Sequence, residues 1–323
     1  MKLIIQIPCY NEADTLPDVL ADLPTEIPGI SEILVQVIDD GSTDRTVEIA
    51  EAHGVSLIVR NKANKGLASS FQSGIDNALR HGADIIVNTD GDNQYAGSSI
   101  RDLVAPIVAG EADIVLGDRN PGENRAFSPS KRFLQRFGSG IVRQLAGIEA
   151  PDAVTGFRAY SRQAALQINV MTRFSYTIET LIHAGRKGLT IKSVPVTTNP
   201  ATRESRLFKS TAQFVRKQLI TVVRSCIMYM PLRSFFVAGL IMLAIGLAPV
   251  LRFFYFYMIG EGDGKLQSLI IGGAFLVIGY VTMLVAFLSD TIATNRQLSE
   301  TALAKIREIE VAVARLEKSS KDK

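Results

Sequence analysis

Apolar residues follow two regimes along this chain. Ahead of Arg203 they come as short runs separated by amphipathic stretches, and towards the C-terminus they form two long unbroken blocks. In the first regime Leu3–Pro8, Ile33–Ile38, Ser56–Val59, Ile85–Asn88 and Ile114–Leu116 are short and rich in Ile and Val, which predicts β-strands. Between them, Glu12–Leu23, Thr43–His53, Gly66–Arg80 and Ser98–Val108 read as amphipathic helices. Asn11 and Ser42 stand where N-caps are expected. Strands and helices that alternate, with continuously apolar strands, predict an α/β fold whose mostly parallel sheet is covered on both faces. Ligands of such sheets bind beyond the carboxyl ends of the strands.

In the second regime all residues from Ser234 to Leu251 and from Leu266 to Ser289 are uncharged. Each block is long enough to cross ~30 Å of hydrocarbon as a helix. The alternative is a pair of buried core helices. Arg252, Phe253, Phe254, Tyr255 and Tyr257 have the composition of an interfacial belt, and Gly260-Glu-Gly-Asp-Gly264 makes a polar turn. Basic residues flank the hairpin at Arg216, Lys217, Arg224 and Arg233 and again at Arg296, Lys305 and Arg307. The positive-inside rule then puts both termini on the cytoplasmic side of a multi-pass plasma-membrane protein. Thr211–Met230 is apolar on one side and basic on the other, as expected of a helix lying in the membrane interface. Beyond the hairpin, Ala302, Ile306, Ile309, Val313 and Leu316 repeat at heptad spacing. That seam either joins copies into a homo-oligomer or packs on the chain's own body. The expected organisation is 1–210 α/β domain, 211–232 interfacial helix, 233–290 two membrane helices and 291–323 C-terminal cytosolic helix.

Composition sharpens this. The 323 residues are 47% hydrophobic and 21% charged, which excludes global disorder. A mean hydropathy of +0.18 fits a soluble body joined to a membrane part. Net charge is only +3, too weak to argue for nucleic acid. From Arg203 to Arg233, however, seven basic residues against one acid leave +6, directly before the apolar blocks, which suits an anionic membrane surface. Cys9 and Cys226 form no CxxC pair, and the three histidines lack zinc-site spacing. The opening MKLIIQIPCYNE lacks a cleavage site and reads as a first strand.

Chemistry concentrates at strand ends. Asn88-Thr-Asp90-Gly-Asp92-Asn-Gln94-Tyr95 follows an apolar strand and offers two carboxylates and an amide oxygen, hard donors suited to Mg²⁺ or Mn²⁺. An Asx-rich turn would look the same in isolation. It has company, though: Pro8-Cys-Tyr10-Asn11-Glu12 closes the first strand, Asp39-Asp40-Gly41-Ser42-Thr43-Asp44 the second, and Asn64-Lys65-Gly66 opens the third helix. Neither GxGxxG nor GxxxxGK[ST] occurs, so dinucleotide and P-loop readings fail.

Together, PCYNE, VIDDGSTD, TDGDNQY, GDR at 117–119, DAVTGFRAY at 152–160 and TRESRLFK at 202–209 resemble the family 2 inverting glycosyltransferases of GT-A fold. More narrowly they resemble the polyprenyl-phosphate group, that of dolichol-phosphate mannose synthase and undecaprenyl-phosphate hexosyltransferases. The resemblance implies a GT-A, Rossmann-like domain that moves a hexose from a nucleotide-sugar to a membrane polyprenyl phosphate for cell-envelope glycans. It favours a UDP-hexose such as UDP-glucose, with GDP-mannose or another lipid acceptor as alternatives. It implies that Pro8, Tyr10 and Glu12 line the base pocket and that Asp39 and Asp40 accept hydrogen bonds from the base. Lys65 falls with this nucleotide-binding set. Asp90 would lie by ribose and diphosphate, and Asp90, Asp92 and Gln94 would hold Mg²⁺ or Mn²⁺. Asp152 would position the substrates or act as base. Arg119, Lys131, Arg132, Arg203 and Arg206 would bind the acceptor phosphate or the diphosphate. The chain departs from the family pattern after the fifth strand, where Lys131 is followed by Gln135 in place of an Arg and a Ser four apart.

Two rivals are weaker. A processive polysaccharide synthase would carry a Gln-x-x-Arg-Trp motif, and this chain has no tryptophan. A non-catalytic sugar-nucleotide sensor would have lost the metal carboxylates, and Asp90, Asp92 and Gln94 are present.

Overall fold

The computed structural model describes residues 1–119, 140, 152–170, 176–199, 223–224, 227–261 and 264–321, with side chains of the last helix described to 313. The chain divides into two units, Met1–Arg216 with Glu300–Lys323, and Lys217–Ser299.

The first unit is built on strands β1 (Lys2–Cys9), β2 (Glu32–Asp39), β3 (Leu57–Arg60), β4 (Ile85–Asn88), β5 (Ile114–Asp118), β6 (Arg158–Ser161) and β7 (Ile191–Pro195). They form one sheet in the order β3-β2-β1-β4-β6-β5-β7. All pairings are parallel except those of β6 with β4 and β5. The helices are α1 (Leu16–Asp22), α2 (Thr46–Ala52), α3 (Leu67–Arg80), α4 (Ile100–Val108), α5 (Arg162–Gln167) and α6 (Tyr176–Arg186). One face buries Leu3, Ile5, Val87, Leu103, Val115 and Phe157 together. On the other, Phe71 of α3 stacks on Tyr176 of α6 at 4.1 Å between ring centroids and meets Tyr160 edge-on. β1 supplies both cores because its side chains alternate between faces, and Leu3, Ile4 and Ile5 are all fully buried.

Strand order reverses at β1 and β4, so the loops after these two strands part and leave a crevice. In their register Asn88, the last residue of β4, lies opposite Gln6, so β1 runs on three residues further to Cys9. β4 spans the residues that the sequence predicts, and the helices start later than predicted. The N-caps of α1 and α2 are Thr15 and Arg45, not Asn11 and Ser42. Asn11 is left-handed, φ 55°, and its side chain accepts from the Thr43 N–H at 2.8 Å. Ser42 Oγ in turn accepts from the Asn11 N–H at 2.9 Å. Both side chains tie the β1 and β2 loops to each other, which leaves neither to cap a helix.

The second unit carries α7 (Pro231–Met258) and the start of α8 (Leu266–Lys321), a single helix over the residues expected to form the second span and the C-terminal helix. The pair packs through glycines: a Cβ on Gly246 would come within 2.8 Å of the Gly272 carbonyl, and one on Gly239 within 2.9 Å of the Gly279 carbonyl. Small residues permit this close backbone approach where lipid gives no hydrophobic drive between helices. The most apolar stretches of the two helices have mean hydropathies of 2.3 and 2.4, and only 11% and 17% of them is buried. Core helices of a soluble protein would be mostly buried, so the membrane reading is the better one.

Within the first unit the end of α8 lies on the α/β body. Arg307 donates to the Ile168 carbonyl at 2.7 Å and lies 3.4 Å from Asp76, and His183 of α6 meets Glu300 at 2.8 Å.

Candidate active site

The site lies where the β1, β2 and β4 ends converge. After β2, Asp40 is 4% exposed and organises its surroundings. It accepts from the Asn61 side chain at 2.9 Å, the Lys65 N–H at 3.0 Å and the Gly66 N–H at 2.8 Å. A carboxylate has about four acceptor directions, so three are filled and a base could reach only the remaining one. Asp39, equally buried, accepts from the Ser42 N–H at 3.0 Å. Pro8 pairs with Ile38 inside the sheet one residue before β1 ends, while Tyr10 beyond the strand is 43% exposed.

After β4 the chain turns sharply through Asp90, Gly91, Asp92 and Asn93, the last left-handed at φ 57°. Asp92 accepts from the Gln94 N–H at 3.1 Å, which sets both side chains on one turn. The turn is held from two sides: Thr15 donates to the Gly91 carbonyl at 2.6 Å, and Asn199 donates to the Asn93 carbonyl at 3.1 Å. Burial pushes the Asp90 carboxyl up to about 7, the charges of Asp92 and Glu12 add to this, and Arg119 opposes it. Crowding of carboxylates is the electrostatic signature of a place that a cation would relieve. Among the described residues no three His, Cys, Asp or Glu side chains gather closely enough to hold a metal by themselves. The donor set nevertheless fits Mg²⁺ or Mn²⁺ with phosphate, since Mg²⁺ typically takes one or two carboxylates and fills the rest with water and phosphate.

Opposite this turn, Arg119 at the end of β5 meets Asp152 in a two-pronged contact, Nε to Oδ2 at 2.6 Å and Nη2 to Oδ1 at 3.1 Å. Asp152 is 2% exposed and the Arg119 side chain 13%. Both oxygens of Asp152 are therefore engaged by the Nε–Nη2 edge of Arg119, and the Nη1 end of the guanidinium lies outside that pair. Tyr95 flanks Arg119 at 6.0 Å, and burial raises its hydroxyl to about 12.

Sequence reasoning misses a buried polar frame beneath the site. Gln6 donates to Asn88 at 2.9 Å, and Asn88 donates to the Gly156 carbonyl and to the Tyr176 hydroxyl, each at 3.0 Å. Arg158, with no exposed surface, donates to the carbonyls of Thr155, Thr177 and Ala153 and to the Thr180 hydroxyl at 2.8–2.9 Å. It thereby fixes the backbone between Asp152 and β6. Gly156 leaves room for Asp90: a Cβ there would lie 3.2 Å from both carboxylate oxygens and 2.8 Å from the Tyr176 hydroxyl. The one sequence signal for this frame was the Gly-Phe-Arg run at 156–158. Lys131, Arg132, Arg203 and Arg206 lie outside the described residues.

The model of the "Glycosyl transferase family 2" family matches residues 4–168. The polyprenol monophosphomannose synthase of Mycolicibacterium smegmatis is 26% identical over 232 residues, covering 68% of this chain and 85% of that protein. The UDP-N-acetylglucosamine–dolichyl-phosphate N-acetylglucosaminyltransferase of Methanococcus voltae is 28% identical over 219 residues, 61% of this chain and 86% of that one. Among solved structures, glucosyl-3-phosphoglycerate synthase from Mycobacterium tuberculosis, in complex with Mn²⁺, UDP and phosphoglyceric acid, superposes with a TM-score of 0.53 at 19% identity. It covers 70% of this chain and 78% of that one.

Proposed function

The chain belongs to glycosyl transferase family 2, and we propose that it transfers a hexose from a nucleotide-sugar to a polyprenyl phosphate held in the membrane. The observation that carries this reading is the crowded Asp90–Asp92 turn facing the Arg119–Asp152 pair, in a chain that also bears two exposed apolar helices. The named acceptors of the Mycolicibacterium and Methanococcus relatives support the lipid phosphate. The helix pair anchors the enzyme to a substrate that cannot leave the bilayer. The plasma membrane, with catalytic domain and both termini cytoplasmic, is the arrangement that the flanking basic residues favour.

In this reading Tyr10 stacks on the nucleobase, and Asp39 and Asp40 shape the pocket beneath it. Asp90, Asp92 and Gln94 would hold Mg²⁺ or Mn²⁺, which when bound would supply positive charge for the leaving nucleoside diphosphate. The presence of Mn²⁺ and UDP together in the Mycobacterium structure, which shares the fold, is compatible with that assignment. The acceptor is already a nucleophile, since a phosphate monoester has its second pKa near ~6. One of its oxygens attacks the anomeric carbon, the bond to the nucleotide phosphate breaks on the opposite side, and configuration inverts. Asp152, fixed by Arg119 and the Arg158-held backbone, positions the reacting groups and is not needed as a strong base. Lys131, Arg132, Arg203 and Arg206 supply the cations for acceptor and diphosphate. The donor is a UDP-hexose, with UDP-glucose first and GDP-mannose the alternative.

The test is nucleotide release by full-length protein in detergent with undecaprenyl phosphate, Mg²⁺ or Mn²⁺, and a panel of UDP- and GDP-sugars. Release that requires both lipid phosphate and metal, and that Asp92→Ala abolishes in a folded protein, supports the reading. Release without the lipid, or undiminished in Asp92→Ala, refutes it.

A further inference from the structure

The end of α8 has two unlike faces. Glu300, Arg307 and Val311 turn towards the catalytic body, and Val311 is 3% exposed. Offset by about half a turn are Ala302, Ile306, Ile309 and Val313, all exposed, with Ile306 at 54%, Ile309 at 63% and Val313 at 47%. These are the heptad positions, so docking on the body consumes one face and leaves the seam open. A continuous row of large apolar side chains in water is costly unless something covers it.

We propose that a second copy of this chain covers it, the two α8 ends forming a short parallel two-stranded coil. Charge selects both occupant and direction. With Ile306 and Val313 at position a and Ala302 and Ile309 at d, Lys305 falls at g and Glu310 at the following e. In a parallel pair Lys305 of each copy meets Glu310 of the other, twice by symmetry; both residues are exposed, and the long 3.9 Å contact of Glu310 with Arg80 of its own body leaves its carboxylate within reach of a second cation. An antiparallel pair would instead set g against g and e against e, so that neither Lys305 nor Glu310 would meet an opposite charge across the seam. The direction also rests on the membrane reading of the helix pair: copies anchored in one bilayer emerge with the same polarity. Anchoring also raises the effective concentration, which a seam of little more than two heptads requires.

The experiment uses full-length protein with Cys226→Ser, reconstituted in phosphatidylcholine–phosphatidylglycerol vesicles. Single cysteines replace Ile306, Ile309 or Glu308, and disulfides are formed with copper phenanthroline. Same-position cross-links are expected for Ile306→Cys and Ile309→Cys and only background for Glu308→Cys. Equal yields at all three positions, or none at any, overturn the proposal. A mixture of Ile306→Cys and Ile309→Cys that cross-links between the two positions in preference to either alone overturns the parallel arrangement. Thiols at 306 and 309 that neither cross-link nor react with maleimide mean that the chain's own segment covers the face, which also overturns it. Alkaline carbonate extraction tests the anchor separately: release from the vesicles refutes the membrane reading whatever the cross-links show.

Discussion

Replacing Asp90 with asparagine removes a charge from the most crowded point of the site and keeps the side chain's shape. In the folded chain the Asp90 carboxyl is raised from 3.8 to about 7, by burial first and then by Asp92 and Glu12. Between those values the folded protein holds a proton that the unfolded chain releases, so stability falls as pH rises from about 4 to about 7 and levels off above. At ~1.4 kcal/mol per pH unit the full cost is about 4 kcal/mol, and the partial solvent contact of Asp90 reduces it to roughly 2–4 kcal/mol. From pH 5 to pH 8 the wild-type protein should lose about 1–3 kcal/mol on this account, a fall in Tm of roughly 3–10 °C for a domain of this size. Asp90→Asn should not show that fall. Thermal denaturation of both full-length proteins in the same detergent, followed by near-ultraviolet circular dichroism without metal, measures the difference. The variant should be more stable than wild type at pH 8 and inactive. If the two midpoints move in parallel from pH 5 to 8, the carboxyl is already ionised at neutral pH and the crowding argument fails.

Three other outcomes are expected. Gly156→Ala drives a methyl against the Asp90 carboxylate and the Tyr176 hydroxyl, so transfer should fall more than about tenfold while the far-ultraviolet spectrum is kept; full activity would show that the 152–157 backbone yields. Arg119→Lys loses the two-pronged geometry, and Asp152→Asn should cost about as much. The double variant should be no slower than either alone, because the pair acts as one unit; additive losses in steady-state kinetics would separate their roles. The Cys9 thiol is buried and its pKa is pushed well up by burial and then by Glu12 and Asp39, so iodoacetamide at pH 8 should spare it until the protein is denatured. Rapid labelling of Cys9 in the native protein, read by peptide mass, would contradict the packing around it.

What could be read along the chain was whatever is local. β4 spans the residues that its apolar run predicts because four Ile, Val and Asn positions leave little choice of register. The turn at 90–94 was visible because its residue types are rare together. Asn11 and Ser42 looked like caps since capping is the commonest local use of such residues, but their partners lie about thirty residues away across the β1 and β2 loops. The pairing of Arg119 with Asp152 was hidden for the same reason: each residue was singled out, yet separation in sequence gave no hint that one neutralises the other. Gln6, Asn88 and Tyr176 were invisible altogether, because a polar residue in an apolar strand has no meaning until its partners on other elements are placed.

The place of β6 in the sheet has a consequence for synthesis. β3, β2, β1 and β4 can pair as soon as residue 88 has emerged, since their order needs nothing later in the chain. β5 cannot join them, because its only neighbours are β6 and β7. Until residues 158–161 leave the ribosome, the nascent chain presents β4 as a bare apolar edge, and β5 waits without a partner. Arg158 opens that strand and also holds the Ala153 and Thr155 carbonyls, so the step that seals the edge also begins to shape the Asp152 loop. A half-made chain is therefore both sticky and inert, since its edge stays open for as long as the Asp152 loop lacks its anchor.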